Sequence, residues 1–214
     1  MSFKRLHKAI NYHEHLEATN SAGLCLGQTW LWMSEIITGV SGTLSPPNFF
    51  MGGKIQAEYE AYDDAGGSSL AFMNNKVSEL QLKVPDKCLV RRSVNDYDSS
   101  VALVNGFSLP SGENAVVYMS WKIGADKSPL LKVMRKYDSF HAMALLKLKS
   151  DGKIYLFDAN FGVFEWVREP GVKLKTDVKR YVLQKYHRPV AAMRGALMLS
   201  TNSDIPLNFE HVIV

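Results

Sequence analysis

The stretch HAMALLKLKSDGKIYLFDANFGVFEWV, residues 141–167, constrains the fold more than any other part of the chain. It holds three short runs of branched, aromatic and other apolar residues, 141–149, 153–159 and 161–167, parted by turn-forming residues. Runs of this length and composition read as strands, and links this short allow only antiparallel neighbours in one sheet. Ser150-Asp151-Gly152-Lys153 is expected to form a hairpin turn. Two further strands are expected, at 114–124 (NAVVYMSWKIG) and at about 191–200.

The earlier half has a different texture. Apolar residues predict a helix from about Cys25 to Thr38, with Gly39 as its C-terminal stop. Helices are also expected over 2–18 (polar and amphipathic), 54–64 and 70–83. Residues 41–53 read as a loop from their Pro and Gly content, 63–69 as a break and 84–87 as a turn. In the second half, 128–137 and about Lys173 to Tyr186 are expected to be helical. Helices first and then mostly antiparallel strands is an α+β layout. A chain of 214 residues is expected to be one domain over 1–214, helical to about residue 112 and β-rich from about 113.

Apolar content of 46% and charged content of 21% fit a globular chain. No apolar run is long enough for a transmembrane helix, and the N-terminus has no apolar core of a Sec signal peptide. The net charge of +4 is unevenly spread: Arg168, Lys173, Lys175, Lys179, Arg180, Lys185 and Arg188 stand against Glu169 and Asp177. Such a segment is either a solvated helix face or a contact for an acidic partner or anionic membrane surface. Cys25 and Cys88 are too few for a disulfide framework or a zinc knuckle, although a single bridge is open. His13 and His15 sit at alternate positions of the expected helix and point apart, so no joint metal ligation is expected there. Cys88 reads as a packing residue, Trp30 and Trp32 as core or cleft wall, and Met33, Met119, Met134 and Met143 as core filler. No phosphate-binding loop, dinucleotide fingerprint or zinc spacing occurs, so no cofactor, metal or nucleic acid is expected.

Cysteine attacks as the thiolate, and a helix N-terminus or a nearby imidazolium lowers its pKa. Cys25 lies where Asn20-Ser21-Ala22-Gly23 hands over to the expected helix, so the positive end of the dipole would sit at its sulfur. Gly23 would let a substrate backbone come close. A buried packing cysteine fits the same stretch. The second half supplies possible partners: His141 opens one expected strand and Asp158 closes the next. An imidazole is held in its working tautomer by an acceptor on its other nitrogen, and a carboxylate among IYLF and NFGVF needs a partner of its own. Register decides whether the two meet. A two-residue turn at Asp151-Gly152 would put Asp158 opposite Leu145 and His141 about 13 Å along the same face, too far to bond. A longer loop or a bulge that shifts the register by about four positions would be required.

Asn20, Gly23-Leu24-Cys25 and Trp30, followed by FHAMAL and FDANFGVFEW, resemble the papain-like cysteine proteases of the YopT/AvrPphB group, which are bacterial effectors and toxin domains. The resemblance spans about residues 18–167 in short blocks and leaves about 40–112 unmatched. It implies a two-lobed papain-like fold, with a nucleophile helix packed on an antiparallel sheet. It implies a catalytic Cys25, His141 and Asp158 and an oxyanion hole from Asn20 and the Cys25 backbone N–H. Gly23, Asn160 and Gly162 would support them, the last two in an Asn-Phe-Gly segment after the acid. The 17-residue spacing from His141 to Asp158 is similar to that of the group. Ala159 departs from it, standing where many members have Pro. Gln28, one turn into the helix, is given a structural role.

The implied activity is an endopeptidase cleaving a host protein through a thioester acyl-enzyme. Alternatives are a deamidase or transglutaminase using the same triad, and a non-catalytic binding module with a basic surface. The resemblance further implies a protein secreted by bacteria without a Sec signal peptide and acting in a host cytoplasm, and a monomer is expected. Residues 168–188 would be its contact with anionic membrane.

Overall fold

A computed structural model describes residues 2–8, 24–94, 113–123, 140–150, 152–186, 190–205 and 207. Among the described residues, seven strands form one antiparallel sheet: β1 (Phe3–Lys8), β2 (Val90–Val94), β3 (Asn114–Ile123), β4 (Phe140–Lys147), β5 (Ile154–Asp158), β6 (Gly162–Trp166) and β7 (Val190–Thr201). Their order across the sheet is β1-β6-β5-β4-β3-β7-β2. The expected meander is its centre. Helices α1 (Cys25–Thr38), α2 (Phe49–Asp64) and α3 (Ser69–Lys83) come between β1 and β2, and α4 (Leu174–Tyr186) comes between β6 and β7. The α+β layout is as expected.

The period-two alternation of the strands sorts the core into two. Val116, Tyr118, Ala144, Leu146 and Phe157 pack with Trp30, Met33, Ile36 and Ile37 of α1 and with Phe72, Met73 and Val77 of α3. Val117, Met119, Met143, Leu145 and Leu156 point the other way, onto Leu174, Val178, Tyr181 and Val182 of α4. Trp32 lies in the first core, stacked on Phe157 with ring centroids 5.0 Å apart, and donates its indole N–H to the Leu44 carbonyl. Met33, Met119 and Met143 are core residues as expected, whereas Met134 lies outside the described residues.

Helix α1 matches its expected bounds. It ends on Gly39 at φ 73°, a left-handed conformation that a residue without Cβ adopts freely, and the Gly39 N–H donates to the Ile36 carbonyl. It crosses α2 with almost no room between them. A Cβ on Gly27 would run into the Gly52 carbonyl, and the Gly27 N–H donates to Gln56 Oε1 at 3.1 Å.

Several expectations are corrected. Residues 3–8 form a strand and not part of a helix over 2–18; the rest of that expected helix lies outside the described residues. The strand pairs with the edge of β6, and its Phe3 ring packs edge-on against Tyr181 at 5.5 Å, so tertiary pairing overrides helical amphipathicity. The expected loop 41–53 stops at residue 48, because the Asn48 side chain accepts from the Met51 N–H and starts α2 at Phe49. Strand β2 has no counterpart in the sequence reading, its VRRSV lacking apolar alternation. Cys88 is exposed and does not pack, and no disulfide joins Cys25 and Cys88. The expected helix at 128–137 and the His13–His15 pair lie outside the described residues.

The β4–β5 hairpin also departs from the two-residue turn. Lys147 faces Ile154, and the Leu148 N–H meets the Lys153 carbonyl. The Gly152 N–H turns back to the Leu148 carbonyl, with Gly152 at φ 67°. This longer loop places Asp158 opposite Met143. That is a shift of two positions from the Leu145 pairing, half of the four that would set Asp158 directly opposite His141. A diagonal contact across the ladder covers the remainder.

Candidate active site

His141 is two residues beyond Met143 on the same strand face, hence diagonal to Asp158. The side chains close that diagonal: His141 Nε2 is 3.0 Å from Asp158 Oδ1. Both are buried, Asp158 completely. A buried carboxylate demands partners, and it has a full set. The Asn160 N–H donates to Oδ1 at 2.9 Å, and Tyr181 Oη donates to Oδ2 at 3.1 Å. Tyr186 Oη lies 2.9 Å from both oxygens. With the imidazole these make four donor groups, about the number of lone-pair sites a carboxylate offers.

The Asn160-Phe161-Gly162 segment explains part of this. Three residues, Ala159 to Phe161, join β5 to β6 across the Asp158–Gly162 pair, and the Phe161 N–H donates to the Asp158 carbonyl. Closing the link requires φ 107° at Gly162, a conformation that L side chains rarely adopt. The same turn aims the Asn160 N–H at the carboxylate. Ala159 is buried in the α1 core.

Cys25 approaches from the other side of the ladder. The β4–β5 pairing stops at Met143, so the next residue, Ala142, has no strand partner there. Helix α1 fills the position: Thr29 Oγ1 donates to the Ala142 carbonyl at 3.2 Å, and the Ala142 N–H meets the Cys25 sulfur. Cys25 is the first residue of α1, half-buried, with no acidic residue in the first turn to oppose the dipole. Its side chain is hydrogen-bonded to His141. Since Asp158 and Tyr186 occupy Nε2, the nitrogen turned toward sulfur is Nδ1.

The electrostatics follow from these contacts. Burial pushes the Cys25 thiol up, and Asp158 adds to that. The hydrogen bond and positive charge of His141, with the Ala142 N–H, outweigh them and hold the thiol below its ordinary value. Burial pulls His141 down, but the charge and hydrogen bond of Asp158, helped by Cys25, raise it well above the ordinary imidazole range. Both shifts run in the direction that favours a thiolate beside an imidazolium. Tyr181 and Tyr186 are pushed up by burial and then by the Asp158 charge, so both phenols stay protonated and act as donors.

Of the residues singled out in the sequence, Cys25, His141, Asp158, Asn160 and Gly162 come together. Asn20 and Gly23 lie outside the described residues. Gln28 is buried and donates from Nε2 to the Phe49 carbonyl at 3.1 Å, a structural link between α1 and α2. Among the described residues no group of three His, Cys, Asp or Glu side chains could hold a metal ion. Thr29, Tyr181 and Tyr186 were missed by sequence reasoning. The two tyrosines stand out only as the aromatic rings of the amphipathic LKTDVKRYVLQKY helix.

No family model matches the sequence, and no curated protein does. Among solved structures the chain is similar to the Pseudomonas avirulence protein AvrPphB, at 16% identity and a TM-score of 0.43, over 85% of this chain and 93% of that one.

Proposed function

We propose that this protein is a papain-like cysteine endopeptidase of the bacterial effector or toxin kind, with Cys25 as nucleophile, His141 as acid–base and Asp158 as its orienting acid. One observation carries the reading: the His141 ring bonds the Cys25 thiol on one side and a fully buried, fully partnered carboxylate on the other. A packing cysteine has no need of such a partner.

The Cys25 thiolate adds to the substrate carbonyl carbon, and the carbonyl electron pair moves to oxygen. The Cys25 backbone N–H and the Asn20 side-chain amide stabilise that oxyanion, at about 3–4 kcal/mol per donor. Collapse breaks the C–N bond, and His141 gives its proton to the leaving amine. Neutral His141 then takes a proton from water, which attacks the thioester and frees the acid and the enzyme. Asp158 holds the ring throughout.

The substrate is a protein of a host cell, reached in its cytoplasm. The exposed residues Arg168, Lys173, Lys179 and Arg180 offer a contact for anionic membrane.

The test is iodoacetamide labelling of Cys25, read by intact mass from pH 4.5 to 9, in a Cys88→Ser background because Cys88 is exposed. Fast labelling down to about pH 5, lost in His141→Ala, is expected of the pair. Labelling only above about pH 8, unchanged by the mutation, would remove the catalytic reading and leave a binding module. New protein N-termini in a host lysate, absent with Cys25→Ala, mark a peptidase. A gain of about one dalton on an intact protein would mark a deamidase instead.

A further inference from the structure

Tyr186 is the last residue of α4, and its hydroxyl occupies the angle between acid and base. Its oxygen is 2.7 Å from His141 Nε2, closer than Asp158 Oδ1 at 3.0 Å, and 2.9 Å from each carboxylate oxygen. Asn160 Nδ2 donates to the same oxygen at 3.2 Å. A phenol has one proton to give and lone pairs to receive with. Asp158 is acceptor-only as a carboxylate, so the phenol proton goes there. The phenol oxygen then faces Nε2–H as a second acceptor.

The ring is fixed for that task. It packs edge-on against Phe161 with centroids 5.2 Å apart, and lies 5.0 Å from the His141 ring. Tyr181 differs in one respect: its hydroxyl meets Asp158 Oδ2 and has no contact with the imidazole among the hydrogen bonds of the described residues. Among the described residues, the titratable groups facing His141 are therefore Cys25 from α1, Asp158 from β5 and Tyr186 from α4. Tyr181 and the Asn160 N–H reach it only through Asp158.

We infer that Tyr186 is a positioning residue for the proposed reaction, its hydroxyl bridging His141 Nε2 and Asp158 so that the imidazolium is held with Nδ1 toward Cys25. The inference rests on the proposed Cys25–His141 pair. Tyr186→Phe removes the bridge and keeps both ring contacts. Asp158 retains Tyr181 and the Asn160 N–H, whereas the imidazolium loses one of two acceptors, so the ion pair is weakened.

The experiment compares iodoacetamide labelling of Cys25 against pH in the full chain, in the Cys88→Ser background, for the parent, Tyr186→Phe and Tyr181→Phe, with thermal melts alongside. In Tyr186→Phe the acid limb is expected to move up by about half to one pH unit. Labelling at pH 4.5, on the acid limb, then slows about three- to tenfold while the rate at pH 9 is kept. Tyr181→Phe is expected to move the limb less. An unmoved limb in Tyr186→Phe, with or without a lower melting temperature, would overturn the positioning role and leave the Cys25–His141 pair standing. Equal movement in both variants would overturn it too, since the effect would then pass through Asp158 alone. A parent protein with no acid-limb labelling would bring down the underlying catalytic reading as well.

Discussion

At the scale of single residues, the site depends on charges that are held apart from water and matched one to one. Asp158→Asn keeps the shape of the acid but removes its charge and offers an amide where His141, Tyr186 and Tyr181 all look for an acceptor. Iodoacetamide labelling of Cys25 at pH 6 is expected to fall by about tenfold or more in that variant, since a raised imidazole pKa is what sustains the thiolate. The same shift has a consequence for stability. His141 titrates higher folded than its ordinary 6.5, so the stability contributed by its charged form is complete below about 6.5 and is lost as pH rises through the folded value. The gap in melting temperature between the parent and His141→Gln is therefore expected to be widest on the acid side of neutrality and to shrink above it. A gap that widened with pH would contradict a raised imidazole. Cys25, His141 and Asp158 were legible in the sequence as chemistry: a thiol at a helix start, and a histidine and a carboxylate at the ends of successive apolar runs. Tyr186 was not, because a tyrosine near a helix end has no local pattern that says what its hydroxyl touches.

At the scale of elements, α1 is placed by two unlike surfaces. One packs on the sheet and carries Cys25 and Thr29 to the open position beside Ala142; the other meets α2 where Gly27 faces Gly52. Gly27→Ala must push the Gly52 backbone aside. It is expected to lower stability by about 1–3 kcal/mol in urea unfolding, despite the better helix propensity of alanine. Helix α4 is pinned differently: Trp166 of β6 donates its indole N–H to the buried Asp177 at 2.8 Å. Trp166→Phe leaves that carboxylate oxygen without its donor, an expected loss of about 1–3 kcal/mol by the same measurement. Because α4 also carries Tyr181 and Tyr186, loosening it should slow Cys25 labelling at pH 6 as well. The helices at 25–38, 70–83 and 173–186 were readable within a residue or so, since caps and apolar spacing are local. Strands β1 and β2 were not: each is held by one neighbouring strand, and the six residues of β1 fit helix and strand patterns alike.

At the scale of the whole molecule, the sheet separates the functions of its two faces. The α1 side supplies the Cys25 thiol and the α4 side braces the Asp158 carboxylate, and the two meet at the end of β4, where β5 has stopped pairing. The outer side of α4 carries the exposed Lys179 and Arg180, while Leu174, Asp177, Val178, Tyr181 and Val182 face inward. If that outer side meets anionic membrane as proposed, sedimentation with phosphatidylserine vesicles should decline steeply between low and high salt and weaken in a Lys179→Glu/Arg180→Glu variant. Binding indifferent to salt and to anionic lipid would refute the membrane contact and leave a solvated face.

The sequence by itself determined the antiparallel meander, the helix that begins at Cys25 and the residue types of the site, because hydrophobic period, turn chemistry and capping act over a few residues. Only the tertiary structure decided the register that brings Asp158 to His141, the strand fate of residues 3–8 and the two tyrosines on the carboxylate. Those depend on how long a loop closes and which edge is left open. Both are settled by contacts between residues far apart in the chain, which no local pattern encodes.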